Sequence, residues 1–308
     1  MRRTASTLVA AAILTTGLSL ASAPEAGAAA PAPTIHESTT PSSSASPKSA
    51  VVYCPAGTAI LGGGAQILGG DGQVAITAAY PMFNPLAAPA QQRSFRVLAA
   101  EDKNGTASAW GLTASVYCTS QTATTVVSAQ SPLSSAPVKS VPVNCPEGMY
   151  VVGAGGYVTV GSTPDPLFDA QVNLVSFRPT PALTGVVARG TEPGGILDDQ
   201  YAGVWRVTAV AVCGYLYAFD GLELRSSTVS PWLDATDLDA RTEVWCTKGK
   251  RLVAAAADLA DDTANTYLDW AIRSNLADTK VSASVHLNAE MGISSSSDLT
   301  VYGICVDG

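Results

Sequence analysis

Cys54-Pro55-Ala56-Gly57, Cys145-Pro146-Glu147-Gly148 and Cys246-Thr247-Lys248-Gly249 each open a segment that closes on a second cysteine, at Cys118, Cys213 and Cys305. Leu61, Val152 and Val253 stand at one distance after the three opening cysteines, so the segments align without a gap. The closing stretches also align: Trp110-Gly-Leu-Thr-Ala-Ser-Val-Tyr-Cys118, Trp205-Arg-Val-Thr-Ala-Val-Ala-Val-Cys213 and Ser297-Asp-Leu-Thr-Val-Tyr-Gly-Ile-Cys305. Thr113, Thr208 and Thr300 occupy the same position in them. Self-similarity at a fixed spacing is the signature of a repeat architecture.

Alternation within these stretches predicts strands. Trp110, Leu112, Ala114, Val116 and Cys118 share one face and Gly111, Thr113, Ser115 and Tyr117 the other. Copies two and three repeat the pattern with Trp205, Val207, Ala209, Ala211 and Cys213, and with Leu299, Val301, Gly303 and Cys305. The cysteine face is therefore the core face. Before the opening cysteines, Val52, Val143 and Val244 point inward, while Tyr53, Asn144 and Trp245 point away. A middle strand aligns at Val74, Val172 and Leu268 and again at Ile76, Leu174 and Trp270. A further strand is expected near Phe95 to Ala99, Thr184 to Arg189 and Val281 to Leu287, giving four or five antiparallel strands per copy. Pro81 and Pro179 are expected to end strands, because proline lacks the ladder donor.

Gly62-Gly63-Gly64 and Gly153-Ala154-Gly155-Gly156 become Ala254-Ala255-Ala256 in copy three. A phosphate-cradling loop would need a strand leading into a helix and a following Lys-Ser or Lys-Thr, and neither follows here. Small size, not positive φ, is the shared requirement, and it points to close packing of sheet on sheet. The fold class is all-β: three homologous antiparallel modules, each closed by a disulfide, forming one pseudo-threefold domain or three successive small β-sandwiches. The boundaries are 1–28 for a signal peptide, 29–50 for a Ser/Pro/Thr-rich arm, and 51–122, 123–217 and 218–308 for the copies. Pro41, Lys48 and Ser49 of the arm match Pro132, Lys139 and Ser140, so it reads as the first copy's lead-in, with its first ten or so residues expected to be mobile. Six cysteines permit about 15 pairings, of which pairing within each copy is the simplest that treats the copies alike.

Arg2 and Arg3, an apolar run from Thr7 to Leu20 and the small residues Ala26-Gly27-Ala28 read as a secretory signal cleaved after Ala28. The run is shorter than the roughly 20 residues that span a bilayer. Free secretion or non-covalent surface attachment is the expectation, and export makes oxidised cysteines the natural state. Removing two arginines and Glu25 from 17 basic and 25 acidic side chains leaves 15 and 24, a net charge of −9. Such a surface repels phosphate backbones, so nucleic acid is not an expected partner.

The residues offer little for catalysis. His36 and His286 are the only histidines. His36-Glu37-Ser38-Thr39-Thr40 starts like a zinc-protease motif but lacks the second histidine, and His286 falls on the polar face of its strand. There is no Gly-x-Ser-x-Gly elbow and no closely spaced cysteine pair. Acidic residues concentrate in copy three, at Asp234, Asp237, Asp239 and Glu243 and at Asp258, Asp261 and Asp262, without a recognised calcium template. Trp110, Trp205 and Trp270 occupy repeated core positions, whereas Trp232 and Trp245 occur only in copy three and flank Asp234 to Glu243. Aromatic rings beside carboxylates suit a polyhydroxylated ligand, so Trp232, Trp245, Asp234, Asp237 and Asp239 form the candidate binding set.

The Cys-Pro-x-Gly opening, the small-residue run and the Trp-to-Cys closing strand resemble secreted three-repeat proteins of high-GC Gram-positive bacteria. The resemblance covers nearly all of the chain after residue 28, most strongly copies one and two; copy three lacks the proline, the glycine run and the closing tryptophan. Asp261-Asp262-Thr263-Ala264-Asn265 is similar to a stretch of the vitelline membrane outer layer protein I family, whose three disulfide-bearing repeats form a β-prism. That similarity implies a prism-like assembly. Repeat length and cysteine placement depart from that family, so no functional residue carries over. The reading that results is a secreted, non-catalytic binding or envelope-associated protein, without cofactor or metal, whose first ligand class is glycan or cell-wall polymer. The competing classes are a structural or protein-interaction protein and a glycoside hydrolase using two carboxylates.

Overall fold

The computed structural model describes residues 33–70, 73–102, 105–120, 123–161, 171–192, 201–230, 232–233, 239–260, 266–267, 273–275, 280–287, 295–296 and 298–308. The signal segment, the arm as far as Ala32, and Asp234, Asp237, Asp261, Asp262, Leu268 and Trp270 lie outside the described residues. Copy one comprises β1 (Thr34–Thr39), β2 (Lys48–Tyr53), β3 (Ala59–Gly69), β4 (Val74–Phe83), β5 (Arg93–Glu101) and β6 (Trp110–Thr119). Copy two repeats the series as β7 (Thr124–Gln130), β8 (Val138–Asn144), β9 (Met149–Val160), β10 (Asn173–Pro179), β11 (Gly185–Thr191) and β12 (Trp205–Tyr215). Copy three contains β13 (Glu223–Val229), β14 (Trp232–Leu233), β15 (Asp239–Trp245), β16 (Lys250–Ala260), β17 (Thr266–Tyr267), β18 (Arg273–Asn275), β19 (Lys280–Leu287), β20 (Ser295–Ser296) and β21 (Asp298–Asp307).

Each copy folds as two antiparallel halves. One half orders the lead-in, closing and opening strands, as β1-β6-β3, β7-β12-β9 and β13-β21-β16. The other orders the strand before the opening cysteine with the later pair, as β2-β5-β4, β8-β11-β10 and β15-β19-β17. The disulfides Cys54–Cys118, Cys145–Cys213 and Cys246–Cys305 join the two halves of each copy, as the within-copy pairing requires. They close sequence separations of 64, 68 and 59 residues. Loops of that length are worth about 4 kcal/mol each in the chain-entropy account. Burial follows the alternation: Val52, Val143 and Val244 are buried beside the sulfurs, and Trp110, Leu112, Ala114 and Val116 have no exposed surface.

The halves do not close on themselves. β4 of copy one pairs with β9 of copy two, and β10 of copy two pairs with β16 of copy three. The resulting six-stranded sheets, β2-β5-β4-β9-β12-β7 and β13-β21-β16-β10-β11-β8, each draw on two copies. Three self-contained sandwiches are therefore not what the chain forms. At the junctions the partners differ in chemistry but not in place: Tyr80 packs its ring 4.5 Å from that of Tyr157, and Arg178 lies 3.5 Å from the Asp258 carboxylate.

The opening strands β3, β9 and β16 also pack against one another. Leu61, Val152 and Val253, aligned in the sequence, are in each copy the extra residue of a β-bulge, and all three are buried. A bulge bends and twists its strand, which turns the next residue toward the other copies. Those next residues, Gly62, Gly153 and Ala254, meet one another: a Cβ on Gly62 would stand 3.1 Å from the Ala254 Cβ, and one on Gly153 would stand 1.3 Å from the Leu61 carbonyl oxygen. None of Gly62, Gly63, Gly153, Gly155 and Gly156 has positive φ, so lack of bulk is what these positions demand. Positive φ is instead the property of Gly57, Gly148 and Gly249, where the turn after each opening cysteine is closed by the amides of Thr58, Met149 and Lys250.

Two expectations change. The arm is ordered from Thr34: β1 pairs with β6 from Thr34↔Cys118 to Thr39↔Thr113, as β7 pairs with β12 and β13 with β21, so copy one starts in the arm and each copy has a sixth strand. Thr39 and Thr113 bond through their hydroxyls at 2.9 Å, as do Thr228 and Thr300 at 2.8 Å. Pro179 ends β10, but Pro81 sits inside β4, which continues to Phe83. Pairing of β4 with β9 is confined to Ala78 and Ala79, and the Pro81 ring faces the β9 side, its Cδ 2.7 Å from where a Cβ on Gly155 would stand, so the missing donor falls where there is no ladder.

Candidate functional site

Strand direction fixes where the cysteines lie. β2 and β4 both run antiparallel to β5, so both point toward Cys54. β9 runs antiparallel to β4 and so starts at that end, directly after its own Cys145. The same argument through β10 and β16 brings Cys246 there. All three disulfides therefore gather at one end of the strands, and the opening strands lead away from it.

That end also carries every exposed aromatic side chain among the described residues: Tyr53, Phe83, Tyr215, Tyr217 and Trp245. Tyr53, Phe83, Tyr215 and Trp245 are the last residues of their strands, and Tyr217 lies in the turn that follows β12. Tyr53 and Trp245 share the position before the opening cysteine, and the amide of Cys54 donates to the Arg93 carbonyl beside Phe83. Arg93 lies over the Phe83 ring at 5.0 Å, and the Tyr215 and Tyr217 rings stack at 5.4 Å. Tyr217 is 75% exposed, with Leu216 also exposed between the two tyrosines. Exposed large side chains at the other end are aliphatic: Leu68, Leu133, Val138 and Val204.

Trp245 is 51% exposed, facing away from the core as its alternation requires. Lys280 stands over its ring at 5.0 Å and bonds the Glu243 carboxylate at 2.9 Å, which Arg241 also reaches at 2.9 Å. The Lys280 hydrogen bond, aided by the two cationic charges and opposed by partial desolvation, holds the Glu243 carboxyl below its ordinary range. Trp245 thus has the Glu243 carboxylate as a neighbour through Lys280. Trp232 is placed by its backbone in β14, paired with Ser296 of β20, next to the Asp298 end of β21. Trp245 adjoins the Cys305 end. From Asp298 to Cys305 the strand runs roughly 24 Å, so the backbone does not bring the two tryptophans to one place. Asp239, the described member of the acidic trio, registers with His286 on β19. Among the described residues no group of histidine, cysteine and carboxylate side chains is arranged to hold a metal ion. His36 lies in β1, where its Nε2 approaches the Thr34 hydroxyl at 3.2 Å.

The opposite end holds a constellation that repeats in two copies. Trp110 Nε1 donates to Glu101 at 2.7 Å beneath the Lys48 ammonium, and Trp205 Nε1 donates to Glu192 beneath that of Lys139. Lys139 further donates to the carbonyls of Ser134 and Trp205. Burial pushes its ammonium down to about 8, with the Glu192 charge opposing. Copy three has Ala240 and Ser297 at the positions of the lysine and tryptophan, so the whole unit is dropped together. The lysines and tryptophans are buried and bonded within the unit, which makes it a strut, not a binding site.

Phe83, Tyr215 and Tyr217 were not legible as candidates from alternation, because each lies at or past a strand end where the pattern stops. Their signal is positional: Tyr215 and Tyr217 follow the core Cys213 closely, and Phe83 follows Pro81. The chain matches no family model and no curated protein sequence.

Proposed function

We propose that this is an exported, non-catalytic binding protein that engages an extracellular glycan or cell-wall polymer at its disulfide end. The observation that carries the reading is the gathering of Tyr53, Phe83, Tyr215, Tyr217 and Trp245 at that one end, while the other end buries its tryptophans. Exposed flat rings cost free energy in water and stack on the apolar faces of sugars, while neighbouring charges such as Glu243 and Lys280 bond hydroxyls. Three disulfides fit an oxidising, extracellular setting, and no helix among the described residues is long and apolar enough to cross a membrane. The meeting of β3, β9 and β16 supports the prism-like arrangement that the resemblance implies.

The test is a pull-down of the oxidised protein on insoluble polysaccharides and purified cell walls beside a Trp245→Ala variant. Retention of the wild type with loss in the variant is the expected result; no retention on any of them sinks the reading. A second reading, assembly with a protein, is favoured by the consecutive exposed Tyr215-Leu216-Tyr217. It predicts concentration-dependent association that a Tyr217→Ser substitution abolishes.

A further inference from the structure

We infer that the two junctions between copies carry different recognition chemistries, one aromatic and one charged, so that each middle strand seats only on its own partner strand and the copies assemble in chain order instead of docking onto another molecule. The inference is independent of the ligand. Copy two takes part in both junctions: its β9 receives β4 of copy one, and its own middle strand β10 is received by β16 of copy three. Such a contact joins two different edges of a repeated unit, so it is heterologous and does not close by itself. With one chemistry at both junctions, β10 of one molecule would seat equally well on β9 of the next, and β4 would seat on β16 and leave copy two out.

The registers put corresponding side chains in the same places. Ala78 pairs with Tyr157 on one side and Leu98 on the other, as Ser176 pairs with Asp258 and Arg189. Tyr80 and Arg178 follow two residues after Ala78 and Ser176, and Val210 and Tyr302 stand three before Cys213 and Cys305. Their strand neighbours Ala79, Val97, Phe177, Ala188, Ala257 and Val301 belong to the main core, so these side chains share the opposite face. In the first junction Tyr80 lies against Tyr157, and Ala78, Leu98 and Val210 complete a small apolar cluster apart from the main core. In the second, Arg178 lies 3.5 Å from the Asp258 carboxylate, whose side chain is 17% exposed. Burial and the Asp258 charge raise the Tyr302 hydroxyl, with the Arg178 charge opposing, so all three groups converge. The first junction shows that the fold accepts apolar side chains at every one of these places. The charges therefore add selectivity: a partly buried ion pair gains little over apolar packing, whereas a buried charge without its partner is strongly destabilising. Seated on β16, β4 would set Tyr80 beside Asp258 and bring no charged side chain of its own. Seated on β9, β10 would set Arg178 beside Tyr157 and find no carboxylate on that strand. Specificity of this kind is the difference between the right partner and the wrong one.

The experiment is oxidative refolding of the reduced, unfolded protein over about a tenfold range of concentration, read by size-exclusion chromatography with light scattering and by thermal melting of the recovered species. Arg178→Tyr combined with Asp258→Tyr gives the second junction the rings of the first. Its species of wild-type size should melt within a few degrees of the wild type. The fraction of that species should fall about twofold or more across the range as larger assemblies form, because contact between molecules follows mass action. The wild type should hold its fraction throughout. A double-tyrosine variant that refolds as the wild type does at every concentration overturns the inference, and so does a lower melting temperature without larger assemblies, which marks a purely stabilising ion pair. If that variant does not fold, Arg178→Glu and Asp258→Lys decide. Each alone leaves a charge unmatched and should lower the wild-type-size fraction, and the two together should restore it; a combined variant that recovers no better than the single ones overturns the inference.

Discussion

Replacing Gly153 with alanine tests the packing of the three copies. The new Cβ would stand 1.3 Å from the carbonyl oxygen of Leu61 and 2.5 Å from its carbon, with the Val212 Cβ at 3.1 Å. The obstructing atoms are main chain, held in the bulge of β3, so no side-chain rotation relieves the contact. Overpacking a close-packed interior costs about 1–3 kcal/mol when side chains share the strain, and here about 3 kcal/mol or more is expected. For a chain of this size that lowers the melting temperature by roughly 6–12 °C. Two companion substitutions calibrate the effect. Gly148→Ala meets nothing within 4 Å but sits at φ +76°, so it carries only the left-handed backbone cost of about 1–2 kcal/mol. Gly62→Ala would place its Cβ 3.1 Å from the Ala254 Cβ and 3.7 Å from the Cα atoms of Ala254 and Gly153, contacts that a shift of a few tenths of an ångström relieves, and should cost least. Calorimetric melting of the oxidised proteins should rank them Gly153→Ala, Gly148→Ala, Gly62→Ala from most to least destabilised. A Gly153→Ala protein that melts within about a degree of the wild type would refute the contact between β9 and β3 on which the interlocked fold depends.

Other perturbations probe the struts. Lys139 loses its proton near 8 in the folded protein but near 10.4 when unfolded, so the unfolded chain binds more protons between those values and stability should rise with pH across that window. The melting-temperature difference between wild type and Lys139→Met should widen in the wild type's favour from about pH 8 to about pH 10; parallel curves would contradict the assignment. Glu192→Ala leaves the buried Trp205 Nε1 without its acceptor and should cost about 1–3 kcal/mol in urea unfolding, with Glu192→Gln costing clearly less. Removing one staple as Cys145→Ala with Cys213→Ala should cost about 2–5 kcal/mol, read from the shift in denaturation midpoint.

Much of the fold was written in period-two alternation. The inward Val52, Val143 and Val244 and the outward Tyr53 and Trp245 follow from it, because a strand's side chains must alternate, whereas the cysteine pairing was read from the repeat as the simplest scheme that treats the copies alike. The glycine run could be read because copy three substitutes alanine at the same place, which excludes a φ requirement and leaves bulk as the shared property. Pairing between copies was not legible. The contact of β4 with β9 rests on Ala78, Ala79, Gly156 and Tyr157, residues that carry no pattern distinguishing a neighbour in the same copy from one in the next. β1 was hidden because Thr34-Ile35-His36-Glu37-Ser38-Thr39 has a composition shared by linkers, and its strand character comes from the ladder that β6 offers. Of the candidate surface, Trp245 was legible from its outward phase, while Asp234, Asp237 and the Asp239 side chain lie outside the described residues. The fold sets the Glu243 carboxylate beside the ring, through Lys280 on the neighbouring strand.

The most direct test of the account is a hydrogen-exchange footprint of the oxidised protein, with and without the polysaccharide that retains it. Slowed exchange confined to the disulfide end, in peptides spanning Tyr53–Thr58, Phe83–Gln92 and Tyr215–Ala218, is the predicted result. Protection centred instead on the Trp110 and Trp205 end, or none at the disulfide end under saturating ligand, would contradict it.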